Sequence, residues 1–352
     1  MNGKVKAALY GNNGADADNA YAKSTNGAAE LLDTVHKGIT SRTQWLINHG
    51  ADVNKKNDNN STLLHVSALN DNIGIVQLLL DKGADINAKT KGGVTALMNA
   101  AYNGHTTIAQ LLLDRGADVN AKDNTNFTAL HAASLQDKTD IVELLIKRGA
   151  NINAKTTDNF TALDLATHGG HTKVIELLLN NGADINTKIA EGKTALHIAA
   201  AKGYADIVQL LLEYGEEPGQ QKVTVDILDD SGHTALYYAF IGGYIDVVKK
   251  LLAGGANVAD FYKVYFDNDS IAIEGVNSRH HREILNLLEA HLLSENPSSL
   301  VINTSSDPNS TNPTGHNNNN PSKGGNRSYR RTIRHHTKKS RKTKHRSTRR
   351  RR

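Results

Sequence analysis

Between Thr95 and Asn120 the apolar positions fall into two helical phrases separated by a glycine. Ala96, Leu97, Ala100 and Ala101 give a short helix with a small-residue face, and the Thr95 hydroxyl is placed to cap its start. Gly104 ends that phrase. Ile108, Leu111, Leu112 and Leu113 then mark the apolar face of a second, antiparallel helix at i, i+3, i+4 spacing. Gly116 supplies a left-handed stop, and Ala117-Asp118-Val119-Asn120 opens a polar loop that doubles back to Thr128. Two residues before each such Thr stands Gly93, Gly192 or Gly232, or else Asn60, Asn126 or Asn159; both residue types accept the positive φ of a tight turn.

The unit recurs. Gly83-Ala84-Asp85, Gly116-Ala117-Asp118, Gly149-Ala150-Asn151 and Gly182-Ala183-Asp184 keep a step of 33 residues, in phase with Thr95-Ala96-Leu97, Thr128-Ala129-Leu130, Thr161-Ala162-Leu163 and Thr194-Ala195-Leu196. A fixed period of this size predicts an all-α repeat solenoid, whose units bury their apolar faces by stacking on one another. With its Thr-x-Leu-His and Gly-Ala-Asp-Val-Asn phrases, the chain resembles the ankyrin repeat family over residues 29–293. The resemblance implies helix-turn-helix units joined by β-hairpin-like loops. Six units carry the Thr phrase, at Thr62, Thr95, Thr128, Thr161, Thr194 and Thr234. An eroded unit precedes them (Leu31 to Asp52) and another follows (Ile271 to Leu288), giving about eight, the outer two serving as caps. The family usually places Pro after the Thr; here Ala or Leu stands there, which the fold tolerates. The step from Thr194 to Thr234 is 40 residues, so seven extra residues are expected within Glu216–Ser231. Such insertions map to the loop side of an array.

Outside the repeats the composition changes. Residues 1–28 are rich in Gly, Asn, Ala and Asp and are expected to form a mobile leader whose last residues fold onto the first unit. Residues 294–322 are expected to be a disordered linker, since 21 of the 27 residues from 296 on are Asn, Ser, Pro or Thr. Residues 323–352 hold 15 Lys and Arg and no acid, whereas the rest of the chain has 26 basic and 36 acidic residues. The overall charge of +5 therefore averages an acidic body and a disordered basic C-terminal tail. The absence of cysteine excludes disulfides and thiolate chemistry. With no secretory signal and no apolar run long enough to span a bilayer, an intracellular location without membrane insertion is expected, in cytoplasm or nucleus. Asn-, Lys- and Ile-rich, Pro-poor usage resembles that of arrays in large DNA viruses of amoebae, with those of intracellular bacteria as the second choice.

No phosphate-binding loop, metalloprotease helix or serine-hydrolase elbow occurs, so the reading is non-enzymatic, with no cofactor. His65, His131 and His197 share one repeat slot and lie a unit apart, too far for one metal shell. The resemblance implies that they make structural hydrogen bonds to neighbouring loops. It also implies that a protein partner is read on a concave surface formed by loops and first helices. The matching positions are Lys89, Lys91, Val94, Tyr102 and Asn103; Lys122, Asn124, Phe127, Leu135 and Gln136; Lys155, Asp158, Phe160 and His168; and Lys188. Phe127 and Phe160, one unit apart, fit either exposed anchors or rings packed on their own hairpins. Lys56, Lys89, Lys122, Lys155 and Lys188 make a 33-residue ladder that reads as an acidic partner's contact or as a solvated face. Asn54, Asn87, Asn120, Asn153 and Asn186 are expected to satisfy loop backbone groups. In the tail, Arg330, Arg331, Arg334, Lys338, Lys339, Arg341, Lys342, Lys344, Arg346, Arg349, Arg350, Arg351 and Arg352 suit a nucleic acid or other polyanion, or a nuclear-targeting signal. A monomer is expected.

Overall fold

A computed structural model describes residues 13–215, 221–259, 261–262 and 279–295. The linker beyond residue 295, the basic tail and the start of the last eroded unit lie outside the described residues. Sixteen helices and no strand are delimited among the described residues. They are α1 (Asn13–Lys23), α2 (Thr25–His36), α3 (Thr40–Asn48), α4 (Leu63–Leu69), α5 (Ile73–Asp81), α6 (Ala96–Asn103), α7 (Thr106–Asp114) and α8 (Ala129–Leu135). There follow α9 (Thr139–Lys147), α10 (Ala162–Gly169), α11 (Thr172–Asn180), α12 (Ala195–Lys202), α13 (Ala205–Glu213), α14 (Ala235–Ile241), α15 (Ile245–Ala253) and α16 (Arg279–Glu295).

Each unit is a pair of antiparallel helices. First helices stack on first helices (α4, α6, α8, α10, α12, α14) and pack more closely than the second helices do. The cause is side-chain size: Ala100, Ala101, Ala132, Ala133, Ala199 and Ala200 are all buried, while the second helices interpose Ile108, Leu112, Ile141, Leu145, Val174 and Leu178. Unequal spacing bends the stack toward the first helices, which become its inner face.

The loops between units form fingers. Each closes on one backbone bond, such as Thr90 N–H to Val94 O (3.0 Å), Asp123 to Phe127 (2.9 Å) and Ile189 to Lys193 (2.9 Å). Gly93 at φ 82° and Asn60, Asn126 and Asn159 at 57–61° occupy the tight corner in common. Successive fingers then hydrogen-bond edge to edge, Lys91 N–H to Asn59 O, Asn124 to Gly92, Thr157 to Thr125 and Ala190 to Asp158, at 2.8–3.0 Å.

The amino-terminal segment departs from expectation in part. The segment read as a mobile leader contains α1, because Ala22 is buried against the first unit and Ser24 caps α2 by accepting from Gly27 N–H (3.2 Å). The Tyr21 hydroxyl donates to Glu30 (3.0 Å), which also takes a two-pronged ion pair from Arg42 (2.7 and 3.0 Å). Few large apolar residues mark this helix, and its attachment is largely polar. At the other end the 17-residue α16 buries Ile284 and Leu288 against α14 and α15.

Candidate interaction surface

The inner surface is built on first helices whose starts are fixed by the Thr slot. In three units the histidine three residues on completes the cap. Thr62, Thr128 and Thr194 N–H each donate to Nδ1 of His65, His131 and His197 (3.1–3.2 Å). Accepting there makes Nδ1 the unprotonated nitrogen, so Nε2 carries the hydrogen and donates across the unit boundary. Its acceptors are Val94 O for His65 (2.9 Å), Ala154 O and Phe160 O for His131 (3.1 and 3.2 Å) and His233 O for His197 (3.2 Å). All three rings are buried, and burial holds their pKa values below the ordinary histidine value.

Met98, Asp164 and Tyr237 fill this slot elsewhere. Asp164 keeps the cap, accepting from Thr161 N–H (2.9 Å) and from the Thr161 hydroxyl (2.8 Å). Its carboxyl is buried, and desolvation raises its pKa from 3.8 to about 6. The folded state therefore holds this proton more tightly than the unfolded chain does, so stability falls as pH rises from 3.8 through about 6 and the loss is complete above that. Such a rise corresponds to about 3 kcal/mol. Asp164→Asn, which retains an acceptor for Thr161, should raise stability at pH 7 by about 1–3 kcal/mol and lose most of that advantage at pH 4. Denaturant titrations of both chains at the two pH values check this; a gap independent of pH would refute the assignment.

The Asn slot forms a ladder along the fingers. Asn54, Asn87, Asn120 and Asn153 Oδ1 accept from the backbone N–H of Asp85, Asp118, Asn151 and Asp184 (2.7–2.9 Å). Asn54, Asn120 and Asn153 also donate through Nδ2 to Gly83, Gly149 and Gly182 O. Asn186 makes the same pair of bonds to Thr224 N–H and Lys222 O (2.8 and 3.0 Å), seven residues further on than the pattern requires. The extra residues are thereby confined between Gly215 and Thr224, a tighter interval than the sequence allowed.

The proposed contact residues divide by exposure. Lys89, Lys91, Tyr102, Asn103, Lys122, Asn124, Lys155, Asp158, His168 and Lys188 are exposed. Val94, Phe127, Leu135, Gln136 and Phe160 are half-buried. Phe127 is not a free anchor: its ring packs on the core and stacks on His131 at 5.3 Å. The lysine ladder is partly structural, since Lys89 Nζ donates to Lys122 O (2.7 Å) and Lys188 Nζ to Leu228 O (2.8 Å). The most exposed apolar side chains of the inner helices are Tyr102 (48%) and Leu69 (46%), in equivalent positions of adjacent units. Leu69 escaped the sequence reading, although it stands 33 residues before Tyr102.

A second set of cross-links lies at the start of the second helices. His105 Nε2 donates to Leu69 O (3.0 Å), His171 to Leu135 O (3.1 Å) and His281 to Ile241 O (3.3 Å). Sequence reasoning missed these because the slot also holds Asn72, Lys138, Tyr204 and Tyr244. Among the described residues no group of three or more His, Asp or Glu is placed to hold a metal ion, and no helix is long and apolar enough to cross a membrane.

Three copies of the Ankyrin repeats family match residues 31–123, 121–189 and 187–261, together about two thirds of the chain. The chain belongs to the ankyrin repeat family. Among curated proteins nothing matches it. Ankyrin repeats are generally protein–protein interaction modules and typically non-enzymatic. In this ankyrin array the motif histidines and asparagines are consumed by the scaffold, and the exposed side chains of the inner face lie at the helix ends and finger tips.

Proposed function

We propose that the protein is a non-enzymatic scaffold or adaptor that binds a partner protein on the concave inner face of its ankyrin array. The observation that carries this reading is the exposed pair Leu69 and Tyr102, held one unit apart on adjacent rigid helices whose other large apolar side chains are mostly buried. Exposed aromatic and aliphatic anchors on a pre-organised frame are the features that concentrate binding energy at protein interfaces. Tyr102, Asn103, His168 and the exposed finger-tip lysines complete the surface.

The Arg/Lys-rich tail supports a second role, contact with nucleic acid or another polyanion, or nuclear targeting. Its 15 basic residues without an acid would bind by counterion release, with steep salt dependence and little sequence preference. Deleting residues 323–352 separates the two. Partner capture that persists without the tail and survives moderate salt supports the adaptor; capture that vanishes with the tail, or entirely in moderate salt, refutes it. DNA binding by the full chain should weaken at least tenfold between about 50 and 200 mM salt and disappear on tail deletion.

A further inference from the structure

The histidine cross-links are not spread evenly along the array. The boundary between the Thr62 and Thr95 units is closed by two of them, His65 to Val94 O at the finger and His105 to Leu69 O at the helix ends. The boundary between the Thr128 and Thr161 units is likewise closed twice, by His131 to Ala154 and Phe160 O and by His171 to Leu135 O. The boundaries in between have neither. Between the Thr95 and Thr128 units the slots hold Met98 and Lys138; between the Thr161 and Thr194 units they hold Asp164 and Tyr204. A thioether has no hydrogen to donate, and an ionised carboxyl has none either. Lys138 and Tyr204 make no side-chain hydrogen bond to the preceding unit among the described residues; their chains lie instead over Gly104 and Gly170.

These two open boundaries are unequal. Met98 buries an apolar side chain, and an Arg148–Asp114 ion pair (2.8 Å) spans its boundary at the second helices. Asp164 buries a carboxyl against a neighbour that offers its backbone acceptors to a donor in the other units. Its boundary is held along the fingers by Asn186, by Lys188 Nζ to Leu228 O and by Asp230 N–H to Glu191 O, and at the outer edge by the Tyr214 hydroxyl to Leu179 O and by Ile185 N–H to Gln221 Oε1. Gln221 lies within the inserted stretch, and with Asp164 and Tyr204 in the two latch slots no histidine closes the inner side of this boundary.

We propose that the array is a chain of histidine-latched pairs, (Thr62, Thr95) and (Thr128, Thr161), and that the boundary after the Thr161 unit is a built-in hinge that opens at its inner side. Nearest-neighbour coupling sets the stability of a repeat array, so a boundary short of two hydrogen bonds and carrying a buried carboxyl is where cooperativity breaks. Opening there changes the curvature of the inner face between its first half and its last three units.

Four equivalent amides report the four boundaries, because each donates across one of them to the asparagine ladder: Asp118, Asn151, Asp184 and Thr224. Native-state hydrogen exchange of the full chain, read by NMR, should show Asn151 and Thr224 exchanging faster than Asp118 and Asp184, with Thr224 fastest. Asp164→His, which restores the latch, should slow Thr224 about tenfold and leave Asp118 unchanged, as one added hydrogen bond across the boundary implies. Asp164→Asn supplies a neutral donor and should act in the same direction, and it carries the test if the histidine variant does not fold. Equal protection at the four amides, or slowing of Asp118 as large as that of Thr224, would overturn the hinge.

Discussion

His131→Ala should destabilise the array by about 2–4 kcal/mol, since it strands a buried backbone donor, frees two carbonyl acceptors and leaves a cavity beneath Phe127. The donor is Thr128 N–H, the acceptors are Ala154 and Phe160 O, and the stacked Phe127 ring loses its support. The same geometry sets a pH dependence. His65, His131 and His197 have pKa values below 6.5 when folded, so their neutral forms stabilise the fold above pH 6.5 and that stability is lost as pH falls below it. Asp164 works in the opposite sense from about pH 6 down to 3.8. Three histidines outnumber one carboxyl, so denaturation midpoints should fall between pH 7 and 5, and the fall should be smaller in His131→Ala. An unchanged slope in that variant would show that the ring does not titrate with folding.

Phe240→Ala should be as damaging, by about 3–5 kcal/mol, and its effect should be local. Phe240 is fully buried and meets Phe261 and His281 edge-on at 5.2 and 5.3 Å. In the other units the equivalent position holds a small residue (Ala68, Ala101, Ser134, Thr167 or Ala200), because another first helix must approach there. The Thr234 unit faces α16 instead, and a phenyl ring fills the wider gap. Removing it should detach α16 and loosen α14 and α15 while the Thr95 and Thr128 units stay folded, as nearest-neighbour coupling requires. Hydrogen exchange resolved by segment checks this; uniform loss of protection from α4 to α15 would contradict it.

The solenoid was legible because its units obey one rule: a Thr cap, a small-residue helix, a Leu/Ile helix and a glycine stop repeat in phase, and each has a local physical cause. The Asn ladder could likewise be anticipated, since a short amide recurring beside a turn has backbone groups to satisfy. Legibility failed where attachment is individual. The helix Asn13–Lys23 lacks an amphipathic stripe and is fastened through Tyr21, Glu30 and Arg42, a triad no period reveals. Phe127 could be placed in a finger from sequence but not turned inward, because its partner His131 is defined by the fold. The latch at His105 and His171 skips alternate units and so hides from a search for a 33-residue step. Of the proposed contact surface, the exposed positions Tyr102 and His168 follow from helix phase, while Leu69 was concealed inside an apolar phrase.

Recognition by the inner face is tested most directly by residue-specific photo-crosslinking in the native cell. A photoreactive residue at Tyr102 on the inner face, and one at Glu143 on the exposed side of α9, are compared in the full chain and in a chain ending at residue 322. Concave recognition predicts one discrete protein adduct from position 102, absent from position 143 and retained without the tail. Equal adducts from both positions, or loss of the position-102 adduct with the tail, would contradict it.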